Sequence, residues 1–208
     1  MERAAIILAG GFSRRFGQDK GLISLAGKPL VAHILERASE SVDEALVVVS
    51  SESQKEAYST VIPKENGIFV DDAKVRSPLA GALTGFSYAQ GRHSVLLPCD
   101  TPFVSSKVIE LLFETCGSVD AAVPRWPNDY IEPLQAVYRT SSAIEAKKQA
   151  LGREEYRPFS MIHLLKKVRY LSTGVIQQLD PQLTTFFNVN TPLDLTNAEG
   201  MLKKGMIP

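Results

Sequence analysis

The sequence predicts an α/β protein: one domain, three layers deep, around a mostly parallel mixed sheet. Three observations predict it. Continuous apolar runs at Ala4–Ile7, Ala45–Val49 and Val95–Leu97 have the length and apolarity of strands buried on both faces. Segments with apolar residues at helical spacing lie between these runs, and that alternation leads to parallel strands joined by crossover helices. The first run also ends directly in a glycine-rich, basic loop, at the strand end where open α/β sheets collect ligands.

In chain order, residues 3–9 form the first strand, and Pro29 opens a helix to about Ser39 with Leu30, Ile34 and Leu35 at helical spacing. Ala45–Val49 is the second strand, 53–60 a polar helix, and Ile68–Val70 a short strand ending in Asp71-Asp72. Pro78 starts a helix of small residues in which Gly81 and Gly85, one turn apart, permit close packing. Val95–Leu97 is a buried strand stopped by Pro98, and 105–116 is an amphipathic helix presenting Val108, Leu111 and Leu112. Strands follow at 120–124 and 134–138, joined by the aromatic, proline-rich excursion RWPNDYIEP. Helices at 141–150 and 159–167, a strand at Val168–Leu171 and a closing helix from Leu193 to Lys203 complete a Rossmann-like pattern. No repeat, low-complexity tract or linker divides residues 1–208.

The composition excludes several classes. With 44% apolar and 22% charged residues, the 208-residue chain can bury a full core. Its formal net charge of zero gives no overall field for nucleic acid or an anionic membrane. Cys99 and Cys116 have neither zinc-ligand nor disulfide-framework spacing. No apolar run approaches the ~18 residues of a membrane helix, and the N-terminal residues lack a signal-peptide layout, so the cytoplasm is the expected location.

The basic loop carries the chemistry. Leu8–Lys20 reads LAGGFSRRFGQDK, with glycines at 10, 11 and 17 and basic side chains at Arg14, Arg15 and Lys20. Glycines let a backbone turn sharply and bring N–H groups to phosphate oxygens, while Arg and Lys add charge-assisted hydrogen bonds. The loop is neither a Walker A sequence nor a G-x-G-x-x-G fingerprint. PCDTPF at 98–103 pins Asp100 between two prolines just after a buried strand, as a turn former or as a hard oxygen ligand for Mg²⁺. Ser77-Pro78-Leu79-Ala80-Gly81 follows Asp71-Asp72, which is either a solvated loop after a strand or a segment that presents the Asp72 carboxylate to a ligand. In FNVNTPLDL, Asn188 and Asn190 alternate onto one face of an extended segment, where Asn190 either shapes the cap at Thr191-Pro192 or presents its amide to a ligand. His33, His93 and His163 have no ligand spacing and read as structural or surface residues. Trp126 and Tyr130 either wall an aromatic acceptor or pack in the core. Arg153, Arg157 and Lys166-Lys167 either meet an acceptor phosphate or form solvated faces.

These motifs closely resemble those of the nucleotidyltransferases that include the molybdenum cofactor guanylyltransferases, in the same order and over nearly the whole chain. Phe16 departs from the methionine usual in that loop, and Ser77 from the usual glycine. The resemblance implies a single Rossmann-like nucleotidyltransferase domain, with a nucleotide-binding half up to about residue 118 and an acceptor-binding half from about 119. It implies transfer of GMP from GTP to molybdopterin or molybdenum-molybdopterin, with release of pyrophosphate. Lys20, Arg15 and Asp100 are then the catalytic residues. Leu8, Ala9, Gly10, Gly11, Ser50, Asp72, Pro78, Leu79, Gly81, Asn188 and Asn190 join Lys20 and Asp100 in binding, and Asp100 and Asn190 hold Mg²⁺. Ser50 stands where bacterial guanylyltransferases often have asparagine. Transient contacts with cofactor-donating and cofactor-accepting proteins are implied, and neither nucleic acid nor membrane. Two rivals remain: a cytidylyltransferase of the same pathway, whose family typically carries Leu-Ala-Ala-Gly in place of Leu8-Ala9-Gly10-Gly11, and a non-catalytic nucleotide-binding partner.

Overall fold

The computed structural model describes residues 1–13, 15–71, 77–151 and 158–205. The apolar runs form the middle of a seven-stranded sheet: β1 (Arg3–Leu8), β2 (Glu44–Val49), β3 (Gly67–Val70), β4 (His93–Pro98), β5 (Ala121–Arg125), β6 (Ala136–Arg139) and β7 (Val168–Ser172). The spatial order is β7-β5-β6-β4-β1-β2-β3. β1 pairs in parallel with β2 and β4, β2 with β3, and β5 with β7. β6 alone runs antiparallel to both neighbours. The cause is local: β5 and β6 are joined by a short excursion with no crossover helix, and a short connection can only return a strand antiparallel.

Both faces of the sheet are covered, which is why its central strands read as unbroken apolar runs. Ala4 to Ile7 of β1 are all 0% exposed. Ile7, Val47 and Val95 point into a core shared with α1 (Leu30–Ser39), α2 (Glu52–Ser59) and α4 (Ser106–Cys116). Ile6, Leu46 and Leu96 point the other way, against α3 (Pro78–Tyr88), α5 (Thr140–Leu151) and α6 (Pro158–Leu164). A smaller cluster of Ile23, Leu25, Leu30, Phe103 and Val189 seats α8 (Pro192–Lys203) and takes in Phe16, so packing absorbs the departure from methionine.

The strand order reverses beside β1. The chain steps outward through β2 and β3, then crosses back by α3 to β4 on the other side. Leu8 and Pro98 end the two strands in register, and the crevice at such a reversal is where open sheets bind ligands.

The expected elements form within a few residues of their anticipated bounds, except that α6 ends at Leu164 and leaves 165–167 outside it. Short features escaped prediction: a hairpin of Phe12–Ser13 with Gln18–Asp19, another of Ser24–Leu25 with Lys28–Pro29, and α7 (Thr173–Ile176). The second hairpin turns on Ala26 and Gly27, both at positive φ (52° and 83°), the geometry of a tight two-residue connection. No helix among the described residues is long and apolar enough to cross a membrane.

The two glycines of α3 differ in what they permit. A Cβ at Gly85 would stand 2.2 Å from Ile6 Cγ2, whereas one at Gly81 would meet nothing nearer than Leu8 Cδ2 at 3.5 Å. Gly85→Ala is expected to cost about 1–3 kcal/mol through overpacking against β1. Gly81→Ala should leave stability nearly unchanged; urea denaturation of both variants checks the contrast.

Candidate functional site

The glycine loop is a closed hairpin. β1 continues past its end, with Ala9 N–H donating to Val48 O at 2.8 Å, and then turns at Gly10-Gly11. The chain returns so that Lys20 N–H donates to Gly11 O at 3.1 Å, with Gly17 at φ 66° letting the tip reverse. A side-chain network holds this hairpin against the start of α2. Ser50 Oγ donates to Gly10 O at 2.7 Å, Gln54 Oε1 accepts from Ser50 N–H at 2.7 Å, and Gln54 Nε2 donates to Asp19 Oδ1 at 2.6 Å. Burial raises the pKa of Asp19, and the Gln54 hydrogen bond offsets part of the rise. Beneath the hairpin, the buried Tyr58 hydroxyl donates to Ala9 O at 3.1 Å.

Lys20 leaves the hairpin facing the end of β4. Its Nζ donates to Asp100 Oδ2 at 2.8 Å and to Asn190 Oδ1 at 2.6 Å. Asp100 is fixed on two sides: Cys99 N–H donates to Leu8 O at 3.0 Å, and Val189 N–H donates to Asp100 O at 2.8 Å. Asn190 does two jobs. Its backbone N–H joins the capping box of α8, donating to Asp194 Oδ2 at 3.0 Å, while its amide oxygen takes the Lys20 ammonium. The Thr191 hydroxyl above all, with the Asn190 and Thr191 backbone N–H groups, holds the Asp194 carboxyl below its ordinary pKa. The two readings of Asn190, cap and ligand, are therefore compatible. Asp100 and Asn190 turn two hard oxygens on one positive charge, a donor set that also suits Mg²⁺, which takes one or two carboxylates and fills its shell with phosphates and water. Among the described residues, no group of three or more His, Cys, Asp and Glu is assembled for a metal.

A cavity of about 540 Å³ opens along the reversal point. Its β1–β3 end is lined by Leu8, Gly10, Gly11, Val48, Val49, Ser50, Asp71, Ser77, Pro78 and Gly81. Its β4–β6 end is lined by Pro98, Cys99, Tyr130, Glu132, Leu134, Gln135 and Asn188, and Lys20 and Asp100 lie where the two ends meet. Of the expected residues, Leu8, Gly10, Gly11, Lys20, Ser50, Pro78, Gly81, Asp100 and Asn188 line this space, and Asn190 reaches it through Lys20. Ala9 and Leu79 are core residues, 0% and 2% exposed, so they contribute backbone and packing and not a wall. Arg15 is exposed at the hairpin tip, outside the lining. Arg14, Asp72, Arg153 and Arg157 lie outside the described residues. Lys166 and Lys167 are exposed, and their N–H groups bind Asp120. Among the described residues no histidine lines the cavity, and His33 lies against the second hairpin, with Nε2 3.0 Å from Leu25 O.

Several lining residues were not anticipated. Asp71, in sequence only one of two adjacent aspartates, carries the β3 ladder on, its N–H donating to Val49 O at 2.7 Å, and its Oδ1 accepts from Thr84 Oγ1 at 2.9 Å. Glu132 and Gln135 come from the proline-rich excursion, which the antiparallel return of β6 brings to this edge. Cys99 lines the cavity too, but burial above all drives its thiol pKa far above the ordinary value.

Known proteins resemble this chain over most of its length. The family model of the MobA-like NTP transferase domain matches residues 5–166. A protein of Methanosarcina mazei named "probable molybdenum cofactor guanylyltransferase" is 34% identical over 207 residues, 97% of this chain and 92% of that one. One of the same name from Natranaerobius thermophilus is 34% identical over 209 residues, covering 97% of each chain. The crystal structure of molybdopterin-guanine dinucleotide biosynthesis protein A from Archaeoglobus fulgidus superposes with a TM-score of 0.82 at 30% identity, over 97% of this chain and 99% of that one. The 2-C-methyl-D-erythritol 4-phosphate cytidylyltransferase of Thermus thermophilus, at 19% identity and a TM-score of 0.71 over 98% and 100% of the chains, shares the fold.

The support beneath the hairpin is open to test. A Cβ at Gly21 would stand 2.4 Å from Tyr58 Oη. Gly21→Ala is expected to cost about 1–3 kcal/mol, and Tyr58→Phe about 1 kcal/mol for the lost hydrogen bond to Ala9 O. The double variant should be more stable than the sum of the two losses implies, because deleting Oη also relieves the clash. A thermal-denaturation double-mutant cycle measures the coupling; strict additivity would mean that Tyr58 does not bear on the loop.

Proposed function

The chain belongs to the MobA-like NTP transferase family, and we propose that it is a molybdenum cofactor guanylyltransferase, moving GMP from GTP to the terminal phosphate of molybdopterin or its molybdenum-bound form. The observation that carries this reading is the convergence of the Lys20 ammonium on Asp100 and Asn190 beside the Gly10-Gly11 turn, in one cleft lined by residues from both sides of the strand-order reversal.

The chemistry needs no protein nucleophile, and Cys99, held as a thiol by burial, offers none. An oxygen of the acceptor phosphate attacks the α-phosphorus of GTP in line. A phosphoanhydride bond forms there as the bond to the β-phosphate's bridging oxygen breaks, and pyrophosphate leaves with that electron pair. The chain contributes position and charge. Gly10 and Gly11 offer backbone to the triphosphate, Lys20 meets the charge that develops on the transferring phosphate, and Arg15 adds positive charge from the hairpin tip. Asp100 and Asn190 would hold Mg²⁺, which when bound neutralises the triphosphate. Ser50, Ser77, Pro78 and Gly81 border the nucleobase. Its N1–H and N2–H₂ are assigned to the carboxylate of Asp72, whose sequence neighbour Asp71 lines the cavity. Transient contact with the proteins that supply and take the pterin belongs to the same reading, as does one nucleotidyltransferase domain spanning residues 1–208.

GTP should bind in clear preference to CTP and ATP in the presence of Mg²⁺, about tenfold or more, because a site shaped for one hydrogen-bond pattern penalises a base that leaves it unpaired. Calorimetric titration with the three nucleotides decides this, and tighter binding of CTP would move the assignment to cytidylyl transfer. Lys20→Ala is expected to lower the transfer rate about a hundredfold at saturating GTP. Asp100→Asn should raise the Mg²⁺ concentration needed for half-maximal rate and lower that maximum. Initial-rate assays over a Mg²⁺ series test both variants; an unchanged Mg²⁺ dependence would return Asp100 to the role of turn former.

A further inference from the structure

Among the described residues, three carboxylates line the cleft: Asp100 at its middle, Asp71 at the β1–β3 end and Glu132 at the β4–β6 end. Asp100 has the Lys20 ammonium and Asp71 has the Thr84 hydroxyl. Glu132 is only partly exposed, and its Oε1 accepts from the neutral indole Nε1–H of Trp126 at 2.8 Å. None of the described ion pairs involves it. Burial raises its pKa, and the indole hydrogen bond offsets only part of the rise. Its surroundings are rigid. Glu132 N–H donates to Pro124 O at 3.0 Å, the Tyr138 hydroxyl donates to Pro133 O at 2.6 Å, and Gln135 Nε2 is held by Thr185 O at 2.8 Å. The half-exposed Tyr130 ring and Leu134 stand beside it on the cavity wall. A fixed carboxylate among apolar and neutral groups is costly unless something brings it hydrogen-bond donors, and in a cleft that something is a ligand.

Resting on the guanylyl-transfer reading for the identity of the acceptor, we propose that Glu132 is the residue that recognises the pterin, its carboxylate accepting from the ring's N3–H and 2-amino group while Tyr130 flanks the ring. The chemistry of the two substrates favours this. Guanine and pterin share one 2-amino-4-oxopyrimidine edge, with two adjacent N–H donors that a carboxylate accepts together. A cleft joining two such rings through phosphates calls for a carboxylate at each end with a cationic centre between them, and Asp71, Lys20 and Glu132 have that arrangement. Trp126 holds Glu132 through Oε1, and both border an adjoining cavity of about 350 Å³.

Trp126 is the single tryptophan of the chain, so its emission reports directly on this wall. The probes are pterin and lumazine; lumazine keeps N3–H but has a 2-oxo group in place of the 2-amino group, with a proton on N1. Pterin is expected to quench Trp126 saturably and to bind about tenfold or more tighter than lumazine, the difference made by a hydrogen bond to a charged acceptor. Glu132→Gln keeps an oxygen for the indole N–H, so its melting temperature should stay near that of the wild type. It should bind the two probes alike and raise the KM for molybdopterin about tenfold, with GTP affinity unchanged. Equal binding of pterin and lumazine by the wild type, retained discrimination in Glu132→Gln, or loss of GTP affinity in that variant would each overturn the assignment. The two readings fail separately. Pterin discrimination that depends on Glu132, in a chain that transfers no GMP, upholds the pterin site and removes guanylyl transfer. Transfer at an unaltered molybdopterin KM in Glu132→Gln removes Glu132 alone.

Discussion

One ammonium group joins the site together. Lys20 Nζ binds Asp100 from 80 residues away and Asn190 from 170 residues away, and each partner is carried by a different part of the fold. Lys20 comes from the hairpin after β1, Asp100 from the end of β4, and Asn190 from the segment that enters α8. The pair is largely sheltered, with side-chain exposures of 26% for Lys20 and 14% for Asp100. A hydrogen bond to a charged group is worth about 1.5–3 kcal/mol, and leaving its partner buried and unmatched costs more. Hairpin, strand end and closing segment are therefore held in one arrangement, and the same oxygens that hold the lysine form the donor set proposed for a divalent cation.

That arrangement depends on the sheet. Parallel strands either side of β1 bring Leu8 and Pro98 into register, so the loops that follow them emerge side by side. The reversal of strand order keeps the helices from covering the gap between them. β6 contributes in a different way. Because its connection to β5 is short, it returns antiparallel and leaves the excursion that carries Tyr130, Glu132 and Gln135 at the same edge. A crossover helix in that place would have carried those residues away. The second end of the cleft is a consequence of one strand's direction.

Beneath the cleft, rigidity comes from neutral hydrogen bonds and close packing. Tyr58 supports Ala9, Ser50 holds the Gly10 carbonyl, and Gln54 links Ser50 to Asp19. Gly10 and Gly21 are needed for the same reason: a Cβ at either would stand within 2.4 Å of the hydroxyl oxygen that supports the loop. These are the contacts that preorganise a charged site, since groups fixed in advance need no rearrangement when charge develops.

The sequence by itself determined the strands, the main helices and the motifs that meet at the middle of the cleft. β1, β2 and β4 are buried on both faces, and that burial writes itself as an apolar run. Thr191-Pro192 is a cap and first-turn pair whose meaning is local, and that cap formed; the structure adds a Ser77 cap on α3. Gly10, Gly11, Lys20, Asp100 and Asn190 stand in contiguous motifs, each next to its strand or cap, and could be named without knowing how the chain folds back. The hairpin at Phe12–Asp19 was not legible, because two-residue strands carry no periodicity and are held by the return of Lys20 to Gly11. Arg15 and Leu79 belong to motifs that bear on the cleft, yet one faces solvent and the other the core; the side a residue presents is decided by packing. Asp71 became part of the cleft because the β3 ladder extends through its N–H, and Glu132 because β6 runs backwards. Both are ordinary carboxylates in sequence. What distinguishes them is which wall they stand in, and that place arises only from long-range strand pairing.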